Sequence, residues 1–321
     1  MNSLSTSDLF DAFGAIVQPM ASRSLLCVAE AELISLFEQR GVLLFRGFDL
    51  DPIKLKALTD RYTESYSGDA YRREHRFDSK VIRDVDVGSQ AVLLHSEASF
   101  TPAWPEVIWF YCVKPPQKAG ATILCDGIEV FQALSQRAKN FFLINPIRYD
   151  LDIPTGRSLP GKGEQPWMFQ VPGAGDAVVQ WDTGRVRLTQ VRSALTEGRV
   201  AGTLCFANHL IVEMDSEPQL KRRSLIDGTE LPPEIRDEIK QVSDAKTREV
   251  AWQAGDLLMI DNKRAMHGRR AYPPGDARDI VIVQSNRASF AYGATTRHSF
   301  EKVKTLGRKG ENYGNQQQAK V

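Results

Sequence analysis

Short apolar runs separated by turn-forming residues recur along this 321-residue chain and restrict what it can fold into. Their length and alternation predict strands at 42–48, 91–97, 106–113, 121–125, 177–181, 203–207, 247–252, 256–260 and 279–285. Helical spacing and capping residues predict helices at 30–40, 51–66, 127–143 and 232–241. Many short strands interrupted by a few helices fit a mainly β fold, a double-stranded β-helix (jelly roll) with helical insertions.

The chain divides by composition into a long globular part and a short polar end. We expect one jelly-roll domain over residues 1–306, with its helices as insertions. The segment 307–321 has too few apolar residues to pack, which predicts a mobile C-terminal tail. Within the domain, the mixed-charge segment 68–89 has two open interpretations: a solvated loop, or a lid that contributes charged contacts to a substrate.

A His-x-Glu pair, His95 and Glu97, lies in the apolar run 91–100 (AVLLHSEASF). In a strand, a period of two places both side chains on the same face, within reach of one metal ion. The pair alone is a weak signal, because 40 acidic residues in 321 give any histidine about a one in eight chance of such a partner. Its position in an apolar strand is what makes it a candidate metal site.

A third candidate ligand, His267, follows the apolar run that begins at Trp252 and ends in turn residues. This pattern predicts His267 just past the end of a strand. Two imidazoles and one carboxylate are the facial triad that holds non-haem Fe(II) and leaves coordination positions open. His95, Glu97 and His267 are therefore the candidate catalytic metal ligands.

Seven segments resemble, in order, the Fe(II)- and 2-oxoglutarate-dependent dioxygenases of the taurine dioxygenase and clavaminate synthase-like group. Each segment is weak alone, but their order along most of the chain is specific. The segments are GVLLFRGFDL (41–50), the strand with His95 and Glu97, KPPQKAGATILCDGIEVFQALS (114–135), VVQWDTGRVR (178–187), LCFANHL (204–210), WQAGDLLMIDN (252–262) and HGRRAYPPGDAR (267–278).

The resemblance implies His95, Glu97 and His267 as iron ligands, with Thr122 and Arg278 binding the distal carboxylate of 2-oxoglutarate. A guanidinium suits that role, since its planar fork matches a carboxylate with two parallel hydrogen bonds. One position departs from the pattern. Many relatives carry a second arginine four residues after the first, and this chain has Ile282 there.

The reaction that the resemblance implies uses Fe(II), 2-oxoglutarate and O2, and it releases succinate and CO2. Hydroxylation of a C–H bond is expected, with desaturation or ring formation left open, while a carboxylate at position 97 argues against halogenation. By analogy with relatives that use glutamate as the ligand, the expected substrate is an amino acid or amino-acid-derived natural-product intermediate, free or carrier-bound. A sulfonate or an ether is the alternative.

Two rival classes remain to be compared. A zinc hydrolase also uses two histidines and a glutamate, but usually as HExxH on a helix, and the chain contains no such run. The other rival is a non-catalytic jelly-roll binding protein with vestigial ligands, which would form no succinate. The complete ligand set, with Thr122 and Arg278, favours the oxygenase.

Charge and hydropathy argue against nucleic acid and membranes as partners of the chain. With 41 basic and 40 acidic residues interspersed, the net charge of +1 gives no electrostatic footprint for nucleic acid or an anionic membrane. The N-terminal segment lacks a signal-peptide pattern and no apolar run is long enough to span a bilayer, so we expect a cytoplasmic protein. The four widely spaced cysteines are predicted to be free, packed thiols. No feature predicts an oligomeric state.

Several polar residues near the motifs have competing interpretations. His209 is either a spare ligand or, more in line with base rates, a satisfied core histidine. Arg269 is either part of a structural ion pair or a contact for a substrate carboxylate. Asp261 and Asn262 are expected to support the turn before His267 rather than to react.

Overall fold

The computed structural model describes residues 4–11, 13–67, 73–85, 88–154, 177–182, 184–217 and 219–290. Within these residues the strands are β1 (Leu4–Phe10), β2 (Phe13–Pro19), β3 (Val42–Phe45), β4 (Thr63–Tyr66), β5 (Arg83–Asp84), β6 (Val92–His95), β7 (Val107–Lys114), β8 (Thr122–Asp126), β9 (Ile147–Pro154), β10 (Ala177–Asp182), β11 (Arg185–Arg192), β12 (Thr196–Glu197), β13 (Leu204–Cys205), β14 (Leu220–Leu225), β15 (Arg248–Val250), β16 (Leu257–Asp261), β17 (Ala265–Arg269) and β18 (Asp279–Ala288). The helices are α1 (Glu30–Arg40), α2 (Pro52–Arg61), α3 (Gly127–Ala133), α4 (Gln136–Ile144) and α5 (Pro233–Ala245), with 3₁₀ turns at Leu25–Cys27 and Met214–Ser216.

Two sheets pack face to face and form the centre of the fold. The larger sheet has the strand order β1-β2-β3-β16-β7-β18-β4, and β5 also pairs with β18. The smaller sheet has the order β15-β8-β17-β6. A third sheet, β10-β11-β9-β14, and the two-stranded β12-β13 complete the described strands. The mainly β prediction is confirmed.

Alternation along β18 separates two apolar layers. Ile280 and Ile282 point into the space between the two central sheets, where they share a core with Leu124 of β8. Val281 and Val283 point to the opposite face and pack with residues of α1 and α2. Because a strand has a period of two, every second residue of β18 faces the space between the sheets.

The helix predicted over 127–143 is two helices. The Asp126 side chain caps α3 by accepting a hydrogen bond from the amide of Ile128 at 3.0 Å. Ser135 caps α4 by accepting from the amide of Ala138 at 3.2 Å, and Leu134 between the helices is extended. A serine hydroxyl that satisfies a free N–H favours a new helix start, which apolar spacing alone does not reveal.

Other boundaries also differ from the prediction. The helix predicted over 51–66 ends at Arg61, because Thr63–Tyr66 pairs with β18 as β4. The apolar patterns missed β1, β2, β4, β5, β9, β11, β12, β14 and β17, while the strand predicted at 177–181 is β10. Several of these strands contain many exposed or partly exposed polar residues, which weakens the apolar pattern in their sequence.

Two predictions concern regions at the limits of the described residues. The predicted tail 307–321 lies outside them, and the single domain ending at residue 306 stays a prediction. No helix in the described ranges is long and apolar enough to cross a bilayer.

Candidate active site

The side chains of His95, Glu97 and His267 converge between the two central sheets. Their candidate ligand atoms all lie within 4.8 Å of one another. Glu97 Oε2 lies 3.5 Å from His95 Nε2 and 3.8 Å from His267 Nε2. All three residues are buried, so the fold and not solvent sets their arrangement.

Backbone pairing places the two imidazoles side by side. His95 ends β6 and lies opposite His267 in the antiparallel register of β17, so His267 lies inside a strand and not past its end as predicted. The strands approach closely because Gly268 has no side chain. A Cβ there would overlap Val92 O and lie 3.0 Å from Leu93 O. His95 Nδ1 bonds to Leu93 O at 2.8 Å, which directs its Nε2 toward the cluster.

Glu97 reaches the cluster from a turn, and this corrects the prediction that it shares a strand face with His95. Strand β6 ends at His95, and the chain turns from Glu97 onward. The Asn262 side chain fixes the turn by accepting from Glu97 N at 2.8 Å and donating to Glu97 O at 3.0 Å. Asp261 supports the neighbouring backbone by accepting from Lys263 N at 3.0 Å. The supporting function expected of Asp261 and Asn262 therefore extends to the Glu97 turn.

The Glu97 carboxylate is ionised although it is buried. Burial by itself raises the pKa of this carboxyl, but the Arg73 guanidinium and the imidazoles of His267 and His95 lower it well below its usual range. Arg73 Nη2 lies 3.0 Å from Glu97 Oε1. Glu97 therefore offers a negatively charged oxygen as a candidate metal ligand at neutral pH.

Thr122 and Arg278 meet at the other end of the site. Arg278 donates through Nη2 to Thr122 Oγ1 at 3.3 Å and through Nε to Gly120 O at 2.9 Å. Trp252 Nε1 donates to the same Thr122 oxygen at 2.9 Å. Burial, and after it the positive charge of Arg269, lower the pKa of Arg278 to about 10. The guanidinium remains charged at neutral pH and attracts an anion.

A cavity lined by residues of both groups connects them. Besides the five predicted site residues, its walls include Arg73, Val92, Phe110, Arg269 and Ile282. Ile282 therefore gives the cavity an apolar wall at the position where the resemblance leads one to expect a second arginine.

The charged segment before β6 contributes directly to the site. Arg73 contacts Glu97, while Arg76 binds Asp279 beside Arg278 with an Nη2–Oδ2 distance of 3.0 Å. The contact of Arg73 lies in the cavity, so the described part of this segment is more than a solvated loop, while a contact with a substrate stays a prediction.

Two further candidates lie at the edges of the site. His209 is buried, its ring centroid is 5.6 Å from that of His95, and its Nε2 lies 3.2 Å from Glu217 Oε1. Burial lowers the pKa of His209, which fits a core histidine held by its own partner. Arg269 donates to Gln90 O at 2.9 Å and also lines the cavity. It therefore makes a structural contact and is still within reach of a bound molecule.

The donor set suits a divalent transition-metal ion. Two imidazole nitrogens and one ionised carboxylate oxygen face one point, and the cavity lies beside it. Metal–ligand bonds of about 2.0–2.2 Å put neighbouring donors roughly 3 Å apart, so the separations from Glu97 Oε2 need only a small contraction. Imidazole with carboxylate is also the combination that non-haem iron sites use.

Three residues of the site, Gln284, Gly268 and Arg73, had no role predicted from the sequence. Gln284 donates through Nε2 to Glu97 Oε1 at 3.0 Å, and period-two alternation with Ile280 and Ile282 could have identified it. Gly268 is adjacent to His267, but its close approach to another strand requires the register. Arg73 has no local signal, because its contact depends on how its segment folds over the cavity.

Comparisons with known proteins identify the family of this chain. A family model described as "Taurine catabolism dioxygenase TauD, TfdA family" matches residues 5–284. The dapdiamide synthesis protein DdaC of Enterobacter agglomerans is 22% identical, over 77% of this chain and 83% of that protein.

Solved structures share the fold at low sequence identity. PvcB from Pseudomonas aeruginosa aligns with a TM-score of 0.59 and 14% identity, over 88% of this chain and 91% of that chain. A taurine dioxygenase from Burkholderia xenovorans aligns with a TM-score of 0.58 and 14% identity, over 88% and 89% of the two chains. A second PvcB structure, described as an Fe, alpha-ketoglutarate dependent oxygenase from an isonitrile synthetic pathway, aligns with a TM-score of 0.56 and 15% identity, over 89% and 96%. These matches confirm the jelly-roll fold.

Proposed function

This chain belongs to the TauD/TfdA dioxygenase family and is a non-haem Fe(II)- and 2-oxoglutarate-dependent oxygenase, and on that premise we propose that His95, Glu97 and His267 bind its iron. The observation that carries the proposal is the meeting of three donor atoms, from two distant parts of the chain, beside a cavity. When bound, iron and the keto acid supply the oxidation of a substrate C–H bond, with release of succinate and CO2.

The family decides between the oxygenase and the two rival classes that the sequence left open. A zinc hydrolase or a non-catalytic binding protein would not turn over 2-oxoglutarate. Within the proposal, the residues of this chain hold the metal, orient the co-substrate and exclude water from the space between the sheets.

We assign the distal carboxylate of 2-oxoglutarate to Thr122 and Arg278. Their contact, and the burial of a guanidinium that remains charged, support this assignment. A bound carboxylate would neutralise that charge and accept hydrogen bonds from both side chains. Ile282 leaves Arg278 without the second arginine of the family pattern, while Arg269 supplies another positive charge nearby.

For the substrate, we propose an amino acid or an amino-acid-derived natural-product intermediate that carries a carboxylate. DdaC is named for dapdiamide synthesis and one PvcB is described from an isonitrile synthetic pathway, which supports a biosynthetic reaction. Arg269 in the cavity wall supports an anionic group on the substrate. A sulfonate or ether substrate is the second candidate, because the family description and one structural relative refer to taurine.

A succinate-release screen tests this proposal. Purified protein with Fe(II), ascorbate and 2-oxoglutarate is incubated with amino acids, peptides, sulfonates and aryl ethers, and products are examined by mass spectrometry. The proposal predicts an added oxygen atom on an amino-acid-type substrate, and no such product with His267→Ala protein. Addition of oxygen only to sulfonates would reject the substrate class. Succinate formation by the His267→Ala protein would reject the site.

We also propose that the enzyme acts in the cytoplasm, on a free or carrier-bound small molecule. All four cysteines are free, and burial raises the pKa of Cys112 and Cys125 to about 12, as expected of inert thiols in a reducing compartment. Cys27 is exposed and does not fit the packed position predicted for it. Comparing turnover of a free amino acid with the same amino acid on a carrier protein distinguishes the two forms of substrate.

A further inference from the structure

The two oxygens of the Glu97 carboxylate have different surroundings. Oε2 faces His95 Nε2 at 3.5 Å and His267 Nε2 at 3.8 Å. Oε1 lies 3.0 Å from both Gln284 Nε2 and Arg73 Nη2. One oxygen therefore belongs to the candidate metal cluster, and the other is held by two donors outside it.

We propose that Gln284 and Arg73 are positioning residues that hold Glu97 Oε1 and thereby present Oε2 as the single carboxylate ligand. This inference rests on the proposed function, because it assumes that Glu97 binds the metal. It adds a specific task for two residues that belong to neither the ligand triad nor the 2-oxoglutarate site.

The backbone of Gln284 is fixed by the larger central sheet. Gln284 pairs with Ile108 of β7, and its carbonyl accepts from Ser67 N at 3.0 Å. The side chain is 4% exposed and faces Glu97 across the space between the sheets. A neutral amide can orient a carboxylate without repelling a divalent cation, so the Gln284 amide is expected to strengthen metal binding.

Arg73 approaches the same oxygen from the charged segment before β6, with a side chain that is 7% exposed. Its guanidinium donates to Oε1 at 3.0 Å, but its positive charge also repels a divalent ion bound at Oε2. These effects oppose each other, so removing Arg73 is expected to change metal affinity less than removing the Gln284 amide.

Holding Oε1 keeps the Glu97 side chain in the orientation that presents Oε2 to His95 and His267. Without these two donors the carboxylate could turn away from the imidazoles, which would weaken the binding of a metal held by all three residues.

Calorimetric titration of metal-free protein with Mn²⁺ tests the role of Gln284 without measuring activity. Gln284→Met keeps the length of the side chain and removes the donor, and we expect affinity to fall roughly 10- to 100-fold, as for other residues that support ligands. Gln190→Met is the matched control, because Gln190 is also buried and bonds to Val191 O instead of Glu97. If Gln284→Met does not fold by circular dichroism, Gln284→Asn shortens the reach and should lower affinity in the same direction.

A double-mutant cycle tests whether Gln284 and Arg73 share one oxygen. Arg73→Met should weaken Mn²⁺ binding by a smaller factor than Gln284→Met, and Lys80→Met, at an exposed basic residue of the same segment, should leave it unchanged. With both donors gone, Glu97 can rotate, so the double variant should lose more than the product of the two single factors. If the loss in the double variant equals the product of the two single losses, the residues act independently, and the proposal that they hold Glu97 Oε1 together is wrong.

The same titrations separate failure of this inference from failure of the proposed function. If His95→Ala removes Mn²⁺ binding while Gln284→Met binds as tightly as wild type or more tightly, the metal site stands and the positioning role is wrong. If His95→Ala and wild type bind Mn²⁺ equally, the metal site itself is wrong.

Discussion

The two ends of the cavity are constructed differently. At the metal end, paired strands fix His95 and His267, and the buried Asn262 fixes the Glu97 turn. At the anion end, Arg278 precedes β18 and makes two hydrogen bonds from its own side chain. Changes at the metal end should therefore affect both folding and metal binding, whereas changes at the anion end should affect only the co-substrate.

The largest combined effect is expected from Gly268→Ala. A Cβ at this position meets backbone oxygen of β6, so the two histidine strands must separate. We expect a destabilisation of about 1–3 kcal/mol, as for other overpacked sites, in a denaturant titration. Mn²⁺ affinity should also fall by roughly 100-fold, the upper end for supporting residues.

Gly198→Ala is the matched control for that prediction. A Cβ at Gly198 crowds the Thr203 side chain beside the β12-β13 pair, which is remote from the metal cluster in the sheet order. It should lower stability and leave Mn²⁺ affinity unchanged. Wild-type affinity in the Gly268→Ala protein would contradict the claim that strand approach places the imidazoles.

Asn262→Leu should weaken the metal end through Glu97 alone. Each buried polar group that loses its partner costs about 1–3 kcal/mol, so the free energy of unfolding should fall by at least that amount. Mn²⁺ affinity should fall roughly 10-fold, because the two histidine strands keep their register. The control is Asn208→Leu, which removes the side-chain hydrogen bonds of Asn208 with Ala194 O and Leu210 N. It should lower the free energy of unfolding and leave Mn²⁺ affinity unchanged.

Arg278→Met should affect the anion end selectively. Truncating one partner of a buried hydrogen-bonded charge pair costs about 2–5 kcal/mol of binding, so 2-oxoglutarate affinity should fall at least roughly 30-fold. Mn²⁺ affinity should stay at the wild-type value, and Arg287→Met, a half-exposed arginine paired with Glu64, should change neither. Equal losses of Mn²⁺ and 2-oxoglutarate affinity would contradict the claim that Arg278 affects only the co-substrate.

Thr122→Val should have the smallest effect of the series. It removes one hydroxyl and keeps the shape of the side chain, and a single hydrogen bond contributes about 0.5–1.5 kcal/mol. We expect 2-oxoglutarate affinity, measured by calorimetry in Mn²⁺-loaded protein, to fall by less than about tenfold. A loss as large as that of Arg278→Met would mean that Thr122 contributes more than one bond.

The sequence predicted the fold class and named three side chains that the structure brings together, His95, Glu97 and His267, but it did not predict how they are held. Strand alternation can predict the two faces of β18, because period two depends only on neighbouring residues. The same alternation misled at the first ligand pair. It placed Glu97 on a strand, whereas a bond network from Asn262, far along the chain, holds it in a turn. It put His267 beyond a strand end because the register with β6 is not a local property.

The contacts that support the site were the least predictable part. Gln284 continues an apolar alternation as a polar residue, so its face could be predicted although its partner could not. Arg73 lies among other charged residues, and nothing local distinguishes the one whose guanidinium reaches Glu97. Such contacts join distant residues, and only the assembled sheets bring them together. The assignment of the five site residues to iron and 2-oxoglutarate stays a proposal.

The most direct test of the central claim is the metal content of the protein after loading with Fe(II) without oxygen and removal of free ion. The account predicts one iron per chain in the wild type and in His75→Ala, whose histidine is exposed. It predicts loss of that iron in His95→Ala, Glu97→Ala and His267→Ala. Full iron content in any of these three variants would contradict a site built from all three side chains.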